Sequence, residues 1–498
     1  MKQTLGRVAP VLALALAASA CENGLTDLNQ NPNNPRFVPA NAILPEAEQA
    51  AVNRALGSNF NLTMLGLWSQ SFAKIQYIDE DKYRLRSTTL DAHWDGFYAG
   101  ALQDFQQVKL QGDSLHYPNW SAIGTIMQQW TFQIVTDTWG DVPYSEALQL
   151  PAIARPKYDA QKDIYYGMMS RLAAASAQIT PTASGTCSGN NPTNCSFGSE
   201  DAIYGGDMAG WRKFSNSLRL RMAMRISNVD PAKAKTEALA ALAAPGGVFG
   251  SNDDNAALHY SGAVPSDNPI YAVFHEGGRY DQVISATTVD TLARLNDPRL
   301  AVYADPAPGG CEGGGDYCGY RNGTVTASDF GALSPIGSAF KENPAAPSMM
   351  MTYSEVLFLK AEAAAKGWIA GDPAQYYRDG IRASMEQYGI DSAEIDAYLA
   401  QSSTQYAGLR SIYLQKWIAL YGNGPEQFAS WRRETVNGGQ HAPFLTPAPQ
   451  ATTKKVPLRV MYPASEQSTN TENWSAAVAA NGGATLYDKP LWWASVLP

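Results

Sequence analysis

Apolar residues recur at Ile123, Ile126, Met127, Trp130 and Ile134, the stripe of a helix with one buried face. Gly140 can take a left-handed conformation and close that helix, and Pro143 cannot continue it. The pattern predicts a helix from about Asn119 into the turn Asp137-Thr138-Trp139-Gly140-Asp141-Val142-Pro143-Tyr144. Similar periodicity predicts helices over Pro45–Leu56, Leu62–Phe72 and Leu90–Gln107, the last carrying Trp94 and Tyr98. Asp159 is placed to N-cap a helix whose stripe is Ile164, Met168, Leu172 and Ile179. Another helix opens at Trp211 with Phe214, Leu218, Met222 and Ile226 on one face. Asp230-Pro231, a cap followed by proline at the first helical position, starts the next.

Residues 244–350 change character, being rich in Gly, Pro, Asn and Asp, with one short helix expected at Thr287–Leu295. Helical order returns at Thr352, where Thr352-x-x-Glu355 reads as a capping box. That helix runs to Lys366, and Asp372-Pro373 starts its partner with Tyr377, Ile381 and Met385. The pair forms a hairpin close to the ~34-residue tetratricopeptide unit. A second hairpin is expected over 391–421, and the helices before Asp137 supply two more. The tail from residue 434 reads as irregular. The expected class is all-α, with helical hairpins packed against a loop-rich part.

The chain has 498 residues, 45% hydrophobic, enough for a large core. A net charge of −9 argues against nucleic acid, which requires a basic surface. Lys2 and Arg7 precede an apolar run that is too short to span a bilayer and reads as a secretory signal peptide over residues 1–20. It ends Ala18-Ser19-Ala20-Cys21, a match to the lipobox of bacterial lipoproteins in which Cys21 is acylated; Ala18 departs from the usual Leu. Residues 21–40 then form an acylated N-terminus and tether, and 41–498 the folded domain. In an exported chain, Cys187 with Cys195 and Cys311 with Cys318 read as two local disulfides. Neither pair has zinc-site spacing, and no metal or cofactor is expected.

The five histidines are scattered, and no HExxH, GxSxG, P-loop or GxGxxG motif is present. Asp137 with Asp141, and Asp253 with Asp254, are candidate carboxylate pairs, more simply read as loop caps. Arg432 and Arg433 could clamp an anion but fit a structural ion pair better. Aromatic residues in polar loops can stack on sugars or peptides. Tyr77, Tyr83, Tyr271, His275 and Tyr280 are the candidate ligand-binding residues on that ground.

Seven segments together carry a family resemblance. They are Cys21 with Leu28-Asn29-Gln30-Asn31-Pro32-Asn33; Asp137-x-Trp139-Gly140-Asp141-Val142-Pro143-Tyr144-Ser145-Glu146-Ala147; and Trp211-x-Lys213-Phe214-x-Asn216-Ser217-Leu218-x-Leu220-Arg221. Asp297-Pro298-Arg299, Thr352-Tyr353-Ser354-Glu355-Val356-x-Phe358-Leu359-x-Ala361-Glu362, Gln415-Lys416-Trp417 and Arg459-x-x-Tyr462-Pro463-x-x-Glu466 complete the set. In this order they resemble the SusD/RagB-like outer-membrane lipoproteins. The resemblance implies a single α-rich domain of four tetratricopeptide-like hairpins against an irregular part. It implies a non-enzymatic, surface-exposed protein, lipid-anchored in the outer membrane, that captures an oligosaccharide or peptide for a SusC-like TonB-dependent transporter. The competing reading is a lipid-anchored secreted glycoside hydrolase, which requires paired carboxylates across a cleft.

Overall fold

The computed structural model describes residues 38–324, 329–435, 445, 455–485 and 489–495. The signal peptide, Cys21 and the tether as far as residue 37 lie outside the described residues. The described part is mainly helical. Helix α1 (Ala40–Leu56) begins ahead of Pro45, which sits inside it. A proline so near the N-terminus removes only one intrahelical bond. Helix α2 is a π-helical stretch, Ser58–Leu65, that runs into Gly66–Trp68. It stops short of the expected Phe72, because Phe72–Lys74 is strand β1. Helix α3 covers 87–115, with Gly96–Leu102 again π-helical.

Helix α4 (Pro118–Trp139) is the central helix, buried along almost all its length. It packs between α3 and α5 (Gln161–Gln178); α6 (Met208–Arg225) and α7 (Pro231–Leu242) follow on α5. Gly140, at φ 95, ends α4 and donates its N–H to Thr136 O. The next turn corrects one expectation. Asp159 does not cap α5; its Oδ2 accepts the N–H groups of Tyr144 and Ser145. Asp141 supplies the helix instead, accepting from Gln161 N at 2.8 Å. Each carboxylate satisfies donors at the far end of the loop, which fixes the loop at both ends.

The irregular part holds β2 (Ala256–Leu258), α8 (Pro269–His275), β3 (Gln282–Ile284), α9 (Ala286–Leu295), α10 (Leu300–Tyr303), α11 (Ser338–Lys341) and β4 (Ser348–Met351). Strand β1 pairs with β3 and β2 with β4, both antiparallel. The helical expectation missed these short strands, since three or four residues carry no readable period. Then come α12 (Tyr353–Ala365), α13 (Pro373–Glu386), α14 (Ser392–Ala400), α15 (Leu409–Ala419) and α16 (Gly424–Thr435). The tail, expected to be irregular, contains α17 (Ala464–Thr469) and α18 (Thr471–Ala480). Disulfides join Cys187 to Cys195 and Cys311 to Cys318.

The segments that carried the resemblance are tied together in the core, in part through α16. Arg221 pairs with Glu355, Arg433 with Glu362, and Lys416 with Glu434. Arg299 is held by Asp297 and by Gln415 Oε1. Trp139 Nε1 donates to Met461 O, and the Tyr462 hydroxyl to Asp141 O. The capping box at Thr352 is therefore only half made. Thr352 accepts from Glu355 N, but the Glu355 carboxylate is spent on Arg221. Arg432 and Arg433 are buried and structural, Arg432 donating to the carbonyls of Asp137 and Leu458. Among the described residues no helix is long and apolar enough to cross a membrane.

Candidate functional site

The pairing of β1 with β3 positions the site. The register sets Phe72 opposite Ile284 and Lys74 opposite Gln282, and Ile75 N extends the ladder to Asp281 O. Beyond this point one segment runs on through Gln76 and Tyr77 and the other comes in through Arg279 and Tyr280. Residues of both line a cleft of about 820 Å³, with Asn59, Thr63 and Arg86 also in its lining. Tyr77 is 66% exposed and Tyr280 64% exposed, unusual values for rings of that size. Both line the cleft, and Phe330, also exposed, completes an aromatic rim.

Tyr77 is held by charge. The Arg279 guanidinium lies over the Tyr77 ring, 5.3 Å from its centroid. Asp281 fixes that guanidinium with two bonds, of 2.7 Å from Nε and 2.9 Å from Nη2. Lys74, itself buried, bridges Glu80 at 3.1 Å and Asp281 at 3.8 Å. Tyr77 sits at φ 50, a conformation an L-residue adopts only when its surroundings impose it.

Beneath the Tyr77 loop, Asn322 joins the framing elements. Its amide donates to Leu67 O, Phe72 O and Asp81 Oδ1, and its Oδ1 accepts from Ser285 Oγ, the N-cap of α9. Asp81 also accepts from Lys74 N. Burial pushes the Asp81 carboxyl up to about 6, although the bonds from Asn322 and Lys74 N oppose the rise. The Trp68 indole holds the same loop through Glu80 O.

Of the five residues chosen from sequence, the structure brings Tyr77 and Tyr280 together. Tyr83 is buried, edge-on to Trp68 at 5.9 Å, and does not line the cleft. Tyr271 and His275 lie on helix α8, not in a loop, and do not line the cleft either. Their rings stack at 4.4 Å, and His275 Nε2 is 2.8 Å from Glu342. Sequence reading missed Arg279, Lys74, Asp281, Gln282 and Phe330. The Arg279-Tyr280-Asp281 triplet, which sets charge on both sides of an aromatic, was the available signal.

The carboxylate pairs do not form a catalytic arrangement. Asp137 is buried against Tyr165 and Arg225, and Asp141 is committed to Gln161 N. Asp254 accepts from Gly250 N and pairs with Lys213. Among the described residues no group of three or more His, Cys, Asp and Glu side chains is arranged to hold a metal ion.

The family model described as "SusD-like_2: Starch-binding associating with outer membrane" matches residues 32–463. No curated protein matches the chain. Among solved structures, a chitin-binding protein is 29% identical with a TM-score of 0.79, over 91% of this chain and 99% of that one. A SusD homolog from Bacteroides uniformis is 25% identical with a TM-score of 0.77, over the same shares of the two chains. A chitin-binding SusD homolog from Flavobacterium johnsoniae is 25% identical with a TM-score of 0.78, again over 91% and 99%.

Proposed function

Because this chain belongs to the SusD-like family of outer-membrane-associated, non-catalytic binding proteins, we propose that it captures an oligosaccharide in the Tyr77–Tyr280 cleft and delivers it to a SusC-like TonB-dependent transporter. The observation that carries this reading is the pair of tyrosines, both about two-thirds exposed and both lining one cleft. A pyranose has an apolar face that covers such a ring and a rim of hydroxyls that bonds Arg, Asp, Asn and Gln groups beside it. The family description names starch, and two of the similar structures are titled chitin-binding. Both are neutral polysaccharides; in the cleft Lys74 pairs with Glu80 and Arg279 with Asp281, while Arg86 is a further cation of the lining. A peptide is the other ligand class such a cleft admits.

In this reading residues 1–20 are removed and Cys21 carries the lipid. The tether of residues 21–40 spans at most about 65 Å at ~3.3 Å per residue. The domain that follows faces outward over the transporter, held to the membrane by its first residue. A glycan and peptide binding screen of the protein lacking residues 1–21 tests the capture step. Binding of an oligosaccharide that disappears in the Tyr77→Ala, Tyr280→Ala double variant is the expected result; a peptide-only response would move the assignment to peptide uptake. Purification of the lipidated protein from detergent-solubilised membranes tests the partner, since absence of a large TonB-dependent barrel from the complex contradicts delivery.

A further inference from the structure

Five charged side chains line the cleft: the cations Lys74, Arg86 and Arg279, and the anions Glu80 and Asp281. Both anions are already committed. Glu80 meets Lys74 at 3.1 Å, while Asp281 holds Arg279 by two hydrogen bonds and lies 3.8 Å from Lys74. Arg86 is exposed and, among the described residues, enters no ion pair. Three cations against two anions leave the lining with one positive charge in excess, although the whole chain stands at −9. An arginine on an open convex face is screened by water and salt. In a cleft the low-dielectric walls concentrate its field on whatever enters. Its guanidinium is weakly hydrated and presents paired N–H donors that match the oxygens of an anion. Arg86 also stands at the N-cap position of α3, which has no side-chain cap, and Thr89 of the first turn lines the cleft, so the positive end of that helix adds to the same sign.

We infer that the cleft takes acidic oligosaccharides, Arg86 pairing with an anionic substituent of one sugar, a uronate carboxylate or a sulfate ester, while a ring of the same oligosaccharide rests on Tyr77 or Tyr280. The inference rests on the glycan-capture reading and narrows it to a charged substrate class. Neutral glycans offer only hydroxyl and acetamido groups, which draw no advantage from the excess charge. An anionic sugar does, because its pairing with Arg86 displaces no partner the arginine already holds among the described residues. A cleft of about 820 Å³ admits several linked sugars, so the stacked ring and the ring bearing the charge need not be the same one.

The test uses the soluble protein lacking residues 1–21 and a broad panel of uronate-bearing, sulfated and neutral oligosaccharides. Each acidic oligosaccharide that binds is titrated calorimetrically beside its carboxyl-reduced or desulfated form, which also tells the two anions apart. The acidic member of a pair is expected to bind at least about tenfold tighter. Arg86→Gln should bring that member down to the affinity of its neutral counterpart, and because Arg86 is exposed the variant should melt with the wild type. The advantage should also shrink as salt rises from about 10 mM to about 1 M, where the screening length falls from ~30 Å to ~3 Å. A panel in which only neutral oligosaccharides bind, or in which charged and neutral members of each pair bind equally, overturns the inference and leaves glycan capture standing. An acidic preference that survives Arg86→Gln, or that salt leaves unchanged, overturns it as well. If no oligosaccharide of the panel binds, the inference and the capture reading fall together.

Discussion

Arg221 and Glu355 face each other across the helical core, with the guanidinium Nε and Nη2 each 2.6 Å from a carboxylate oxygen. Burial drives the Glu355 carboxyl upward, and the Arg221 charge works against that rise. Removing one partner leaves the other as a buried, uncompensated charge. Arg221→Met should therefore cost about 3–5 kcal/mol of stability by urea denaturation, and Arg221→Met with Glu355→Leu should recover most of it. A single variant within 1 kcal/mol of wild type would show that the pair is solvated in solution.

Tyr77 and Tyr280 should separate binding from folding. Each alanine variant is expected to lose about tenfold in glycan affinity, with stability within ~0.5 kcal/mol of wild type because the rings are exposed. Tyr83→Ala is the contrast. Its ring is packed against Trp68, so the variant should lose about 3 kcal/mol of stability. Calorimetric titration and thermal melting of the three proteins decide the matter.

His93 gives the fold a pH signature. It is buried beside Phe60, and among the described residues neither ring nitrogen has a hydrogen-bond partner. Burial first, and the Arg54 charge second, lower its folded value from 6.5 to about 4. The unfolded chain therefore binds the extra proton between these values, and stability falls as pH drops from 6.5 towards 4. Between pH 7 and pH 4.5 this group should account for about 2–3 kcal/mol of lost stability. His93→Phe should remove that component, seen as a smaller difference between urea midpoints at the two pH values.

Cys21→Ser should release the protein from membranes into the soluble fraction after export, as followed by fractionation and immunoblotting. Continued sedimentation with the outer membrane would mean that the lipobox match is incidental.

Asn322→Ala should weaken the cleft as a whole. It withdraws donors from Leu67 O, Phe72 O and Asp81 at once, leaving the Asp81 carboxylate buried with fewer bonds. The expected result is a stability loss of about 1–3 kcal/mol together with reduced glycan affinity. Unchanged affinity would show that the Tyr77 loop holds its shape through Trp68 alone.

Helix ends were legible in the sequence because their chemistry is local. Gly140 takes the positive φ expected of it, and Asp230 and Asp372 accept from the first turns of the helices they precede. Asn268-Pro269 carries the same kind of signal, and reading it would have moved Tyr271 and His275 onto a helix. The cleft was half legible. Exposed aromatics in polar loops pointed to Tyr77 and Tyr280, but nothing local tells which tyrosine of one loop turns outward and which, like Tyr83, packs inward. The ladder between Phe72–Lys74 and Gln282–Ile284 joins three residues to three across some two hundred positions. No short-range pattern encodes such a pairing, and Arg279, Asp281 and Gln282 acquire their roles only from it.

The end of helix α4 has a consequence for the order in which the protein assembles. Trp139 donates to Met461 O, a carbonyl 322 residues further along, and Thr138 O receives the N–H of Val460. Asp137 O waits for Arg432, 295 residues on. The central helix is thus finished by chain that is synthesised long after it. An emerging N-terminal half carries an unclosed helix end and an unpacked indole until the later segment arrives. Closure of this seam is a late event that waits for nearly the whole chain.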